Sequence, residues 1–126
     1  MMANYADIDP LASQNDEDAE TEIAASTEAV CELCGRNEVA LTRHHLIPRA
    51  RHNKARTRRH FSRDEMVTEI AMICRPCHSQ VHRLFANHEL ASYYHTIERL
   101  QDHSEMQKFI QWIRKRPAGL KVRVRR

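Results

Sequence analysis

Ile73-Cys74-Arg75-Pro76-Cys77-His78-Ser79-Gln80-Val81-His82 packs an apolar run, a CxxC pair and an HxxxH pair into one short segment. The CxxC has a counterpart upstream, Cys31-Glu32-Leu33-Cys34, and the two pairs use all four cysteines of the chain. Each pair can offer two thiolates from one tight turn, and four thiolates complete the tetrahedral shell that structural zinc prefers. Two disulfides are the competing reading. Met1 to Pro10 has neither a basic start nor an apolar core, so no secretion signal is visible. The expected setting is therefore the cytoplasm, where thiols stay reduced and zinc is favoured. A redox-active pair is the lesser alternative, because neither CxxC sits in a thioredoxin-like strand-to-helix context.

Working outward, Ile70-Ala71-Met72-Ile73 reads as a buried strand feeding the second cysteine turn, and beyond it His78 and His82 share one helix face. Residues 31 to 36 form the first cysteine turn, with Gly35 just past Cys34, and Val39-Ala40-Leu41-Thr42 reads as a strand delivering the His44-His45 doublet at its end. Ser62 and Glu65 have the form of a capping box, predicting a short helix over Ser62 to Val67. Residues 49 to 60 are expected to be an arginine-rich loop. Asn87 can cap a helix with Leu90, Tyr93, Tyr94, Ile97 and Leu100 on its apolar stripe. Ser104 and Gln107 can open another carrying Met106, Phe109, Ile110 and Ile113, with Pro117 as its stop. Both read as packing helices, an oligomer interface being the alternative.

The 126 residues make one small domain with only three Phe, three Tyr and one Trp for its core, so a metal staple would supply what the core lacks. No apolar run approaches the roughly 20 residues that cross a bilayer, and no membrane partner is expected. The net charge of +3 hides a division. Residues 1 to 28 carry eight acids and no Lys or Arg, so residues 29 to 126 hold nine acids against all twenty bases, a net +11. The first 28 residues are also poor in large apolar groups and are expected to be a disordered acidic arm. A body that basic points to a polyanion, with nucleic acid the first candidate; a solvated surface is the bland alternative. The bases cluster at Arg49, Arg51, Lys54, Arg56, Arg58, Arg59 and Arg63, and again in a tail from Lys121 to Arg126.

Strand, loop, strand and helix pinned by zinc, with histidines at a strand end and on the helix, resembles the HNH endonucleases, the group with the ββα-metal fold. The residues that carry the resemblance are Cys31-Glu32-Leu33-Cys34, Arg43-His44-His45-Leu46-Ile47-Pro48-Arg49, and the segment from Ile73 to His82. The likeness covers about residues 29 to 85, and the tail from 87 to 116 looks like that of short bacterial HNH proteins. The implied architecture is α+β: a ββα-metal nuclease core over 29–86, a helical extension over 87–116 and a basic tail over 117–126.

The resemblance implies that His44 binds a catalytic divalent metal, that His45 is the general base, and that His78 and His82 complete the metal site. Physical chemistry agrees. Three imidazoles can hold a metal by three corners and leave positions open for phosphate oxygen and water, while an imidazole of ordinary pKa suits proton transfer near neutral pH. Mg²⁺, Mn²⁺, Ni²⁺ and Zn²⁺ all fit such a site. An HxxxH pair can also be a plain helix face, or donate to the cysteine site. Arg43 and Arg83 flank the metal-binding histidines and are candidates for gripping phosphate, with Arg49, Arg51, Arg56, Arg58 and Arg59 beside them.

One departure matters. The family's middle residue is usually Asn, about nine residues before the final His, and the corresponding position here is Glu69. A carboxylate there can accept a hydrogen bond from His45 and orient it, or be a surface charge; Asn53 fits the spacing poorly. The expected activity is metal-dependent hydrolysis of duplex DNA with little sequence preference, the protein being nucleoid-associated when bound. A non-catalytic, zinc-stabilised nucleic-acid-binding module is the alternative from another class, and a protein-interaction module or toxin-like effector restrained by its acidic arm is a third.

Overall fold

The computed structural model describes residues 23–119, so residues 1–22 of the acidic arm and 120–126 of the basic tail lie outside the described residues. Two strands set the frame. Strand β1, Leu41–His45, pairs antiparallel with β2, Ile70–Cys74, in the register Leu41 to Cys74, Thr42 to Ile73, Arg43 to Met72, His44 to Ala71 and His45 to Ile70. Alternation in a strand sends Thr42 and His44 to the same face as Ala71 and Ile73, and all four are fully buried. The strand begins two residues later than the sequence pattern implied, so both histidines lie inside it. Pairing with β2 runs as far as His45, and that pairing extends the strand through the doublet.

The connection from β1 to β2 corrects the expected arginine loop. Arg49–Arg51 form a 3-10 turn and Ala55–His60 form helix α1. The latter segment holds no Gly or Pro, arginine is a good helix former, and Thr57 gives it a buried anchor. Helix α2, Arg63–Thr68, follows at once. Its capping box is complete: the Glu65 N–H donates to Ser62 Oγ at 3.1 Å and the Ser62 N–H to Glu65 Oε1 at 2.8 Å.

Helix α3, Arg75–Leu84, starts where β2 stops, with Cys74 as its N-cap and Pro76 in its first turn, where a missing N–H costs nothing. It lays Cys77, His78 and Val81 against the sheet. The single helix expected from Asn87 is instead two, α4 (Asn87–Ser92) and α5 (Ile97–Asp102). The break has a local cause: the Thr96 hydroxyl accepts the Arg99 N–H at 3.1 Å and opens a new helix. Asn87 lies within the first turn of α4, Ala86 being its N-cap. Tyr93 is 53% exposed and off the apolar stripe, with the Arg99 guanidinium 4.4 Å over its ring.

Helix α6, Ser104–Ile113, ends before Pro117 and buries Met106, Ile110 and Ile113 as its spacing implied. Its cap is His103 rather than Ser104, Nδ1 accepting from the Glu105 N–H at 3.2 Å. The main core joins the four cysteines to Leu33, Leu41, Ile73, Val81, Leu90, Leu100 and Met106. A smaller cluster of Ile47, Met66 and Ala91, backed by Phe61, lies under the α1–α2 excursion.

Residues 23–28, grouped by composition with the arm, hydrogen-bond to the body. Ile23 and Leu41 exchange backbone bonds of 2.6 and 2.8 Å, and the Glu38 N–H donates to Ser26 O at 2.7 Å. The fold class is α+β, and no described helix is long and apolar enough to cross a membrane.

Candidate functional site

Four buried cysteines converge from two chain segments. Gly35, at φ +82°, makes the turn after Cys34 that a side chain would strain, and its N–H donates to Cys31 O at 2.8 Å. The second pair is held by the end of β2 and the first turn of α3. All four Sγ atoms lie within 4.8 Å of one another, and Cys34 Sγ is 3.8 Å from Cys74 Sγ. Metal–sulfur bonds of about 2.3 Å in a tetrahedron place neighbouring sulfurs about 3.8 Å apart, whereas a disulfide requires about 2.05 Å. The thiols are free and positioned to bind a metal ion.

The electrostatics suit that role. Hydrogen bonds from Cys31, then Cys74 and Cys77, hold the Cys34 thiol well below its usual range. Those involving Cys31 first hold Cys74 at about 7. Their partners rise in turn: Cys31 through its bond to Cys34, and Cys77 through its bond to Cys31. The quartet thus shares its protons unequally and already favours thiolate at Cys34 and Cys74. Arg36, itself buried, donates from Nη2 to Cys74 Sγ at 3.5 Å. Burial works to lower its pKa, but Cys74 and Cys34 outweigh that and raise it, so its charge stays beside the sulfurs.

A second cluster stands on the sheet face under α3. His44 comes from β1, His78 and His82 from consecutive turns of α3, and their ring centroids form a near-equilateral triangle of 5.1, 5.3 and 5.0 Å. One nitrogen from each lies within 4.8 Å of the others. The sequence-predicted ligand set is therefore brought together. Thr42 orients it. Its hydroxyl donates to Ile73 O at 2.9 Å and stands 2.7 Å from His78 Nδ1. A hydroxyl has one proton to give, so toward His78 it accepts. Nδ1 then carries the hydrogen, and the Nε2 lone pair is left for a metal. Support of this kind commonly fixes the tautomer of a ligating histidine.

His45 ends β1 and is 8% exposed. Its ring packs edge-on to His52 at 6.2 Å, and His52 Nε2 donates to Ile47 O at 2.7 Å. Glu69 reaches this corner through its backbone: the Leu46 N–H, one residue past His45, donates to Glu69 O at 3.0 Å. Its carboxylate is exposed and acts on His95, where burial and then Arg99 lower the pKa and Glu69 works weakly against them. Arg43, on β1, and Arg83, in the last turn of α3, are exposed, as are Arg49, Arg56, Arg58 and Arg59; Arg51 is half-buried. Asn53 is exposed between the 3-10 turn and α1. Thr42, His52 and Arg36 were not picked out from the sequence. A period-2 reading of β1 from His44 would have flagged Thr42; the other two carry no local signal.

An antiparallel strand pair with a helix across it, holding three imidazoles in one place and four thiols in another, defines a ββα-metal protein. The model of the HNH endonuclease family matches residues 31–84. Over 95 residues the chain is 37% identical to the uncharacterized protein YisB of Bacillus subtilis (strain 168), an alignment taking in 75% of this chain and 83% of that protein. No solved structure matches. The chain belongs to the HNH endonuclease family.

Proposed function

We propose that this protein is a metal-dependent endonuclease that hydrolyses phosphodiester bonds of duplex DNA. The observation that carries the reading is the convergence of His44, His78 and His82 beside His45. A divalent ion in that triad would neutralise charge on the scissile phosphate and stabilise the departing oxygen. His45 takes the proton from the attacking water as its oxygen bonds to phosphorus, the bond from phosphorus to the 3′-oxygen breaks, and that oxygen takes a proton from a second water, giving 5′-phosphate and 3′-hydroxyl ends. Glu69 steadies the end of β1 in place of the family's Asn. Arg43, Arg83 and the arginines of residues 49–59 contact phosphates, which positions DNA without reading its sequence. Zinc occupies the four-cysteine site as a structural ion, which suits a reducing cytoplasm.

Supercoiled plasmid, incubated with zinc-loaded protein and Mg²⁺, Mn²⁺, Ni²⁺ or Zn²⁺, tests the reading. Nicking should require added metal and vanish in His45→Ala, which should still shift plasmid on a gel. The exposed carboxylate at Glu69 favours a second reading, a non-catalytic DNA-binding module. Plasmid shifted yet left intact by the parent protein with every metal would make that reading the better one.

A further inference from the structure

A cavity of about 370 Å³ opens beside the catalytic corner, between the 3-10 turn, α1, α4 and the start of α5. Three guanidinium groups line it, Arg51, Arg56 and Arg99, and no Asp or Glu does. Glu69 is felt there only through its minor influence on His95. Its apolar wall is Phe61 and Ala91, from the smaller core cluster, and His95 stands edge-on to the Phe61 ring at 5.0 Å. Arg51 Nε is buried and has no hydrogen-bond partner among the described residues. That atom is sealed from solvent, so contact with an anion in the cavity falls to the rest of the Arg51 guanidinium.

Size and chemistry select the occupant. The volume exceeds what a bare phosphate needs and falls in the range of small-molecule sites. Guanidinium groups and an aromatic ring lining one cavity suit a phosphate joined to a flat, stackable ring. Position adds the source: Arg51 lies six residues past His45, and between them Ile47 joins the cavity's apolar wall and accepts the hydrogen bond from His52, which packs on His45. We propose that this cavity binds one nucleotide unit of the strand being cleaved, its phosphate held by Arg51, Arg56 and Arg99 and its base turned out of the duplex and set against Phe61. The inference rests on the nuclease reading for its biological meaning, but its binding chemistry does not require turnover.

Calorimetric titration of the full-length, zinc-loaded protein with thymidine 5′-monophosphate, inorganic phosphate and thymidine separates the contributions, and none of these probes has an internucleotide bond to cut. The monophosphate should bind at one site, at least tenfold tighter than either fragment. A saturating single-stranded oligonucleotide should displace it. Arg56→Gln, at an exposed position that leaves the core alone, should weaken the monophosphate at least tenfold, and Arg51→Gln should do the same. Absence of saturable binding, or unchanged affinity in both variants, would overturn the proposal. Monophosphate that stays bound under saturating oligonucleotide would overturn the assignment to the substrate strand. A protein that passes these tests yet leaves plasmid intact would refute the nuclease reading alone; one that cuts plasmid but ignores the monophosphate would refute this inference alone.

Discussion

One hydroxyl proton determines which nitrogen of His78 faces the other two imidazoles. Because Thr42 gives that proton to Ile73 O, it can only accept from His78 Nδ1. Thr42→Val keeps the shape of a fully buried side chain but removes the acceptor. Loss of comparable supporting groups weakens metal binding about 10- to 100-fold, and that range is expected here for Mn²⁺ or Ni²⁺ titrated against zinc-loaded protein. Thr42→Ser restores the acceptor and should recover most of the affinity. Equal affinity in the Val variant would mean that ring packing alone orients His78. The three clustered histidines were legible in the sequence because i, i+4 spacing on a helix and a doublet on a strand are local patterns. Thr42 was not, since its role depends on the register that sets it opposite Ile73. The role given to Glu69 fared differently: its position beside His45 was readable, whereas the backbone contact from Leu46 to its carbonyl depends on the fold.

Helices α1 and α2 form one excursion that carries Arg56 and Phe61 out from the sheet and returns at Glu69, so their stability bears directly on the corner at His45. Each is only six residues long. Isolated helices of that length do not persist in water, so α2 depends on Met66 packing and on its capping box. Ser62→Ala removes the acceptor for the Glu65 N–H and should cost about 1 kcal/mol. That is a fall in Tm of roughly 4 °C for a chain of this size. Thermal unfolding followed by circular dichroism measures it; an unchanged Tm would show that Met66 alone holds the helix. The box was legible because its two residues are three apart in sequence. Helix α1 was missed because its run of arginines was weighed as charge, when arginine is equally a helix former anchored here by Thr57. The break between α4 and α5 was missed for the converse reason: apolar spacing runs through it, and only the Thr96 cap reveals the stop.

The four thiols bring an early turn of the described chain to its middle, which is why their positions foretold so much of the architecture. They join the turn at Cys31–Cys34 to the end of β2 and the start of α3. The same turn accepts from the C-terminal helices, Arg114 Nε donating to Cys34 O at 3.1 Å and Gln101 Nε2 to Leu33 O at 3.2 Å. Arg36 reaches Cys74 Sγ and also Arg116 O and Pro117 O, at 3.4 and 3.3 Å. These cross-ties were invisible in the sequence because they span from 38 to 81 residues. Structural zinc in zinc-finger peptides binds with about 10–16 kcal/mol near neutral pH, as much as the whole stability of a typical domain, about 5–15 kcal/mol. Chelation should therefore unfold α6 together with the core in one transition, seen as loss of helical ellipticity; helices surviving complete zinc removal would refute that coupling. Acid should act through the same site. Cys34 and Cys74 are held below the unfolded thiol while Cys31 and Cys77 are raised above it, so the shifts within the metal-free quartet oppose one another and the acid sensitivity comes from protons competing with a bound metal. Bound zinc demands all four thiolates, with protons and zinc competing for the same sulfurs. Raising free zinc should accordingly move the acid midpoint to lower pH, because a ligand specific to the folded state stabilises by mass action. An acid midpoint indifferent to zinc would instead place the sensitivity in groups outside the cysteine site.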